Sequence, residues 1–585
     1  RGRGPTPVRG DPGVPASHTM ISALAVLALA GAAAATAPSE ISAGVVRSLH
    51  GRRCNFGAAD ALATGQYIEE VEKDGWGKLW VTASESAAAA GASSEDQAFA
   101  AGCVHGHLLQ HRMFQYWRNY EANEYGKGKG PCASLEAFID AQMIYTDQVA
   151  VAKTVTPVDA TPDFISGLGH ITAQFEGLVQ GYAAVAPPSE TLTRREIYML
   201  NSVGDLEDLD GICSGKIVLN ARAIKAIEEL TGKPYPPPPA AALGFDPVPQ
   251  KMKLTDCSGF VRVTPGAKDL ILGQATWRSY YAMLRTYNVF NLPYTPAGVV
   301  SFSASPGFLM SKDDYAVSGG DKARLMIFET TNSVFYKSLY NDYLTPRSML
   351  TWQRSAIGMQ WATSGPEYVS IMKTNQSGTY NNQWVVADNK LFVPGNTSLP
   401  KDLLWAVELV PGLTQSADIT PVLQEQGYWP SYNIPYFPAI YNISGYPEAA
   451  ARYGNDYVYA KAPRANIFRR NATDVSDPAS LGNLLRYNNY KFDPLAGGDP
   501  ISGAIASRGD LAKPQAVAFG AVDAKVTSFS MANNGSPTTF AICGPTHVQQ
   551  PVFSWAPNFS NVTHDGVPAS FPFDWVEMPV APPSE

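Results

Sequence analysis

The run from Lys253 to Arg285, "KLTDCSGFVRVTPGAKDLILGQATWRSYYAMLR", constrains this chain more than any other. Cys257 stands at the first position of a strand-like segment, directly behind "GKPYPPPPAAALGFDPVPQ". Proline lacks an amide donor and fixes φ, so Pro234 to Pro249 makes neither helix nor interior strand and reads as an exposed linker. A structural cysteine ordinarily sits inside an element as a small buried hydrophobe. One chemistry needs it at the open end of a strand after slack chain: a cut before Cys257 that makes it a new N-terminus. Its α-amine, titrating near neutrality, then serves as base for its own thiol. In the precursor the same thiol attacks the Asp256 carbonyl in an N-to-S acyl shift. An inert buried thiol is the competing reading, and spacing alone leaves both open.

Two unlike halves flank the linker. From about Ala61 to Leu230 the periods are helical. Ser94-Glu95-Asp96-Gln97 resembles a capping box ahead of "AFAAGCVHGHLLQHRMFQYWRNYEANEY". "DFISGLGHITAQFEGLVQGYAA" and "NARAIKAIEELTGK" read the same way, the latter stopping at Gly232 and Pro234. Beyond the linker, "SGFVRVTP", "DLILGQAT", "GVVSFSASPG", "ARLMIFETTN" and "QWVVADNKLFVP" are period-two or β-rich runs separated by turn residues. Helical patches such as "SAIGMQWATSG" interleave with them. Helices first, hairpin-like strands after and few βαβ alternations predict an α+β fold with helices packed on stacked sheets.

The formal charge of −8, with no block of Lys and Arg, argues against a nucleic-acid partner. "MISALAVLALAGAAAATA", Met20 to Ala37, reads as a secretory signal ending in a small-x-small cleavage pattern. Residues 1–19 then read as a gene-model extension, and the mature chain is expected to begin near Pro38. No other apolar run is long enough to span a bilayer, so no transmembrane segment is expected. Seven N-x-S/T triplets begin at Asn375, Asn396, Asn442, Asn471, Asn534, Asn558 and Asn561. Asn534 is the poorest acceptor, with Pro537 behind its triplet, and Asn375 sits beside a strand that encloses it. The six cysteines form no CxxC and no zinc pattern. With Cys257 reserved for chemistry, five remain, so at least one more has no intrachain partner. His105, His107 and His111 share a helix, but 105 and 107 point to different faces, so neither a metal nor another cofactor is expected.

"DCSGFVRV", "GQATWRSYYAMLRTYN", "IFETTNSVFYKSLY", "SGTYNNQWVVAD", "GYWPSYNIPYFPAIYNISGY", "PRANIFRR", "ASRGDL" and "FDWV" occur in that order from Cys257 onward. Carrying them, the chain resembles the phospholipase B-like family, lysosomal or secreted proteins of the N-terminal nucleophile hydrolase superfamily. A weaker helical match begins near Gly65. The resemblance implies an αββα sandwich of mostly antiparallel stacked sheets flanked by helices. It also implies autocleavage between Asp256 and Cys257 into two chains that stay associated, with Cys257 as nucleophile. On this reading 38–233 is a helical chain, 234–256 a linker or propeptide, and 257–585 the nucleophile-bearing chain of one composite domain. The family usually carries His where this sequence has Gln274, in Gln274-Ala275-Thr276-Trp277. Glutamine can hold a carbonyl but takes no proton, so the α-amine is left as base.

Other roles follow from what acyl transfer needs. A donor must face the developing oxyanion. Asn433 in "SYNIPYF" is the first choice, with a turn-forming Asn as its even competitor, and Asn332 is the second. Arg469 or Arg470 could orient the amine and a carboxylate, and Trp277 reads as pocket wall. The expected activity is hydrolysis of fatty acyl esters of phospholipids. An N-acyl amide substrate and a catalytically silent glycoprotein are the alternatives.

Overall fold

Runs of β-branched and aromatic residues bounded by Gly, Pro and Asn turns become strands in the computed structural model. It describes residues 39–48, 51–157, 159–237, 257–312, 315–532 and 537–581. The expected signal, Pro38, most of the Pro-rich stretch with Asp256, and Asn534 lie outside the described residues. β1 (Ser39–Ser48), β2 (Gly51–Phe56), β3 (Ala63–Glu70) and β4 (Trp76–Ala83) come first. After the long helices follow β5 (Ser258–Val263), β6 (Leu270–Ala275), β7 (Trp277–Ser279) and β8 (Arg285–Leu292). Next come β9 (Gly298–Ala304), β10 (Tyr315–Ser318), β11 (Leu325–Thr331) and β12 (Asn382–Asp388). The remainder are β13 (Leu404–Val410), β14 (Leu413–Asp418), β15 (Tyr428–Ser431), β16 (Phe519–Ala521), β17 (Asp523–Ser528), β18 (Thr539–Cys543) and β19 (Val576–Met578).

Eleven strands form one sheet in the order β14-β13-β12-β11-β10-β9-β8-β4-β3-β1-β2, and six form a second in the order β15-β5-β6-β17-β18-β19. β7 and β16 make a separate ribbon. Both halves of the chain thus share the larger sheet, joined where β4 runs parallel to β8 from Trp76↔Arg285 to Thr82↔Asn291. The helical reading of the chain from Ala61 is corrected here, because residues 63–83 hold β3 and β4. Nearly every residue of β4 is buried, so a strand covered on both faces shows no alternation to betray it.

Helices cover the outer faces. The Ser94–Glu121 and Pro162–Val185 helices cross in close contact on the β1–β3–β4 end of the large sheet. A Cβ on Gly102 would stand 1.9 Å from Gln174 O, and one on Gly177 1.9 Å from Phe99 O. Alanine at either position would therefore push the helices apart. The first helix is capped by Ser93, whose side chain accepts from Asp96 N–H, one residue earlier than the capping box predicts. The Ala221–Thr231 helix is capped by Asn220 and ends on Gly232 at φ 67°, as its sequence demands. On the far side the Pro478–Leu485 helix lies over β6, where a Gly273 Cβ would sit 2.7 Å from Leu485. Between the sheets, Gly259 of β5 meets the Phe328 ring of β11 so closely that a Cβ would come within 2.1 Å. The layers are helix, sheet, sheet, helix: the expected αββα sandwich.

Cys54–Cys103 pins β2 to the long helix, and Cys132–Cys213 closes the helical region. Cys257 and Cys543 are in no disulfide, and Cys543 is the additional cysteine without a disulfide partner that the odd count required. Among the described residues no helix is long and apolar enough to cross a membrane.

Candidate active site

Cys257 sits where the two sheets meet, one residue before β5. Ser258 pairs with Ala275 of β6 and Gly259 with Ser431 of β15. Thr276 directly follows β6 and Asn433 lies two residues past β15, at the ends of the two strands that flank β5. The residue is 2% exposed and has φ 82°, a left-handed conformation that costs a non-glycine residue on the order of 1 kcal/mol or more. Burial pushes the other thiol, Cys543, far above the ordinary range, as expected of an inert core cysteine.

Three groups bracket Cys257 that the sequence reading did not select. Glu329, fully buried in β11, places Oε1 3.9 Å from Sγ. The Tyr380 hydroxyl lies 3.1 Å from the same Oε1 and 2.6 Å from Lys312 O. The Lys312 ammonium stands 4.4 Å above the Tyr380 ring and pairs with Glu207 at 3.0 Å. Tyr380 itself has φ 50°. It is held there by Asp208, which accepts from its N–H at 2.9 Å, and by Gly204, where a Cβ would meet its ring at 2.7 Å. Asp208 and Gly204 belong to the Val203–Leu209 helix, so the helical region props the site from behind.

Arg464 is the third. It donates to Cys257 O at 2.8 Å and to Ser258 Oγ at 3.3 Å, and its guanidinium lies 4.4 Å over the Trp277 ring. Trp277 is fully buried and donates to Ile505 O at 3.2 Å. Arg469 and Arg470, chosen from the same "PRANIFRR" stretch, face outward. Arg469 bonds Asn466 and Ala460 O, and Arg470 forms an ion pair with Asp493 at 2.8 Å. The helix runs Pro463–Asn471, so Arg464 shares the inward face with Ile467 and Phe468 at i+3 and i+4. That spacing was the available signal.

Asn433 is buried at φ 65°, its side-chain amide donating to Thr331 O at 2.7 Å and its backbone carbonyl accepting from the Tyr446 hydroxyl at 2.7 Å. A hydrogen-bonded chain supports its loop. Thr330 and Ser431 are 2.6 Å apart, Ser431 donates to Gln383 at 2.6 Å, and Gln383 donates to Glu408 at 2.6 Å. Glu408 also accepts from the N–H groups of Tyr436 and Phe437. Asn332 is buried just past β11, bonding Asn381 O through its N–H and facing Glu408. Gln274 is engaged at both ends. It donates to Glu329 O at 2.6 Å and accepts from Thr276 Oγ1 at 3.3 Å, which in turn accepts from Lys525 at 2.6 Å. Buried Asp523 bonds Lys525 at 2.7 Å and Arg285 at 2.8 Å behind them.

Of the glycosylation triplets, Asn396, Asn442, Asn558 and Asn561 are exposed, while Asn471 is half-buried against Arg470. Asn375 is half-buried with its amide on Tyr145 OH. His105 is buried, His107 is partly covered and His111 pairs with Glu190. No group of three or more metal-ligating side chains occurs among the described residues.

Burial raises three carboxyls near this region: Asp208 to about 6, Asp210 to about 7 and Glu408 to about 7. Lys337 and hydrogen bonds from Tyr340, Tyr380 N–H and Tyr125 oppose the shifts at the two aspartates, while Glu207 adds to them. The folded chain therefore binds these protons more tightly than the unfolded one. Their stabilisation is complete below the ordinary carboxylate range and is lost as pH rises through about 6 to 7. Burial holds His105, His107, His170 and His547 below the ordinary imidazole range, which costs stability on acidification and offsets part of this gain. The expected net result is a melting temperature higher at about pH 5 than at about pH 7.5 by only a few degrees, on the order of 3 °C. Differential scanning fluorimetry at the two pH values checks it, and an equal or lower value at acid pH contradicts it.

Comparison with known proteins adds the family. The model of the phospholipase B family, "Phospholipase B", matches residues 63–578. "Phospholipase B-like protein G" of Dictyostelium discoideum is 40% identical over 539 residues, covering 89% of this chain and 86% of that protein. Human "Phospholipase B-like 1" is 35% identical over 525 residues, covering 88% and 87%. "Phospholipase B" of Crotalus adamanteus is 34% identical over 524 residues, covering 88% of each.

Proposed function

This chain belongs to the phospholipase B family, and from that premise we propose that it is an acyl hydrolase of phospholipids whose nucleophile is Cys257, made N-terminal by a cut after Asp256. The observation that carries the reading is the setting of one thiol. Cys257 opens β5 between the sheets, its carbonyl pinned by Arg464, with Asn433 at the end of the adjoining β15 edge. Once the bond is cut, the α-amine takes the thiol proton and the thiolate attacks the ester carbonyl. The developing oxyanion is met by the Asn433 amide. The alcohol leaves with the proton, and water then hydrolyses the acyl thioester and restores the thiol.

Cleavage leaves the two pieces holding one sheet through β4 and β8, and Asp208 of the first piece still bonds Tyr380 of the second. These contacts support fragments that stay together. The exposed triplets at Asn396, Asn442, Asn558 and Asn561, with the signal-like leader, support passage through the secretory pathway to a lysosome or the exterior.

The test is an assay of purified, cleaved protein, its N-termini read by mass spectrometry, on phosphatidylcholine vesicles and on N-acyl amides in parallel. Fatty acid release from the vesicles, with a terminus at Cys257, is the expected outcome. Turnover of amides alone would make the protein an amidase. Silence on both with Cys257 N-terminal would leave a processed glycoprotein without catalysis.

A further inference from the structure

The α-amine that serves turnover does not exist until the chain has been cut. In the precursor that nitrogen is an amide, with no basicity to offer. Some other group must take the thiol proton for the first cut, and it must lie beside Sγ. We infer that Glu329 is that base: a catalytic residue of maturation, distinct from the base of turnover. The inference rests on the reading of Cys257 as a self-cleaving nucleophile.

Among the described residues, Glu329 presents an acceptor to the thiol. Glu329 Oε1 is 3.9 Å from Sγ, near the limit for a sulfur donor, and such contacts tighten along a reaction. The neighbouring groups cannot substitute for it. Gln274, on Glu329 O, takes no proton. Tyr380 has one hydroxyl proton, set between Lys312 O at 2.6 Å and Oε1 at 3.1 Å, and a neutral phenol is no base for a thiol. The Lys312 ammonium lies over Tyr380 and pairs with Glu207. Arg464 holds the Cys257 carbonyl and is always charged. Glu329 stands in the middle of β11, whose pairing with β12 from Leu325↔Asp388 to Thr331↔Asn382 fixes its reach.

The step balances without further reagents. The thiol proton passes to the Glu329 carboxylate as Sγ forms a bond to the Asp256 carbonyl carbon. The tetrahedral intermediate collapses, its carbon–nitrogen bond breaks, and Glu329 returns the proton to the departing nitrogen, now the α-amine of Cys257. Water then adds to the thioester, the carbon–sulfur bond breaks, and Asp256 is left as a C-terminal carboxylate with the thiol restored.

The experiment follows cleavage of the full chain after cell-free synthesis, on denaturing gels over a range of pH. Wild type, Glu329→Gln, Glu329→Asp and Cys257→Ala are compared. The wild-type rate is expected to rise with pH through one carboxyl titration and then level. Glu329→Gln is expected to cleave about a hundredfold more slowly with that titration gone, and Glu329→Asp to recover part of the rate and the titration together. Glu329→Gln that is cut at the wild-type rate with the wild-type profile overturns the inference. So does a wild-type rate indifferent to pH, a result that needs no variant to fold. Cleavage of Cys257→Ala at the same bond would instead sink the nucleophile reading itself.

Discussion

Replacing Cys257 by alanine is expected to leave one full-length chain that is never divided and hydrolyses nothing. The side chain lost is a single sulfur in a buried position, and the backbone around it is held by pairing on both sides, with β6 and β15. Folding should therefore survive while both thiol-dependent events disappear, the cut and the turnover. Serine at 257 is expected to cleave slowly, since a hydroxyl performs the same acyl shift less readily. The gel readout is unusually clean. Both disulfides, Cys54–Cys103 and Cys132–Cys213, lie wholly on the N-terminal side of the bond. Wild-type protein should thus separate into two bands on a denaturing gel without reductant, yet elute as one species from a native sizing column. An alanine variant that still splits after Asp256 would assign the cut to an outside protease.

The parts of this fold visible in the sequence are those whose pattern is local. The Pro162–Val185 and Ala221–Thr231 helices carry their own periods and caps. β5, β6, β9, β11 and β12 follow turn residues that announce them. β4 escaped because its two faces are both covered, leaving no alternation, and because the link to its antiparallel partner β3 is a one-turn helix, Val71–Asp74, while its other partner β8 lies beyond the linker. The site divides along the same line. Cys257 was legible from its position after the prolines, and Asn433 from a turn between two more. Glu329 was a charge directly after the apolar run Leu325–Phe328, a sign that a buried carboxylate has a partner, but only the fold shows that the groups beside it are a thiol and a tyrosine hydroxyl. Tyr380 depends on Asp208 in the other half of the chain, a contact no spacing encodes. Arg464 lies on the buried face of its helix with Ile467 and Phe468, whereas Arg469 and Arg470 lie on the exposed one.

Asn433 is expected to carry the second large effect. If its amide meets the oxyanion, Asn433→Ala should lower kcat by about 10²- to 10³-fold, the loss seen when one such donor is removed elsewhere, with little change in KM. Alanine alone does not isolate the donor, because the position has φ 65° and a Cβ without a local hydrogen bond is disfavoured there by roughly 1–2 kcal/mol. Glycine adopts that conformation at no steric cost and also lacks the amide. The two variants therefore bracket the cause. Equal losses in kcat for Asn433→Ala and Asn433→Gly, with KM and melting temperature near wild type, identify the donor. A glycine variant that keeps wild-type kcat while alanine loses it would mean that the loop's left-handed turn is what matters. The Thr330–Ser431–Gln383–Glu408 chain beneath would then support a scaffold instead of an oxyanion hole.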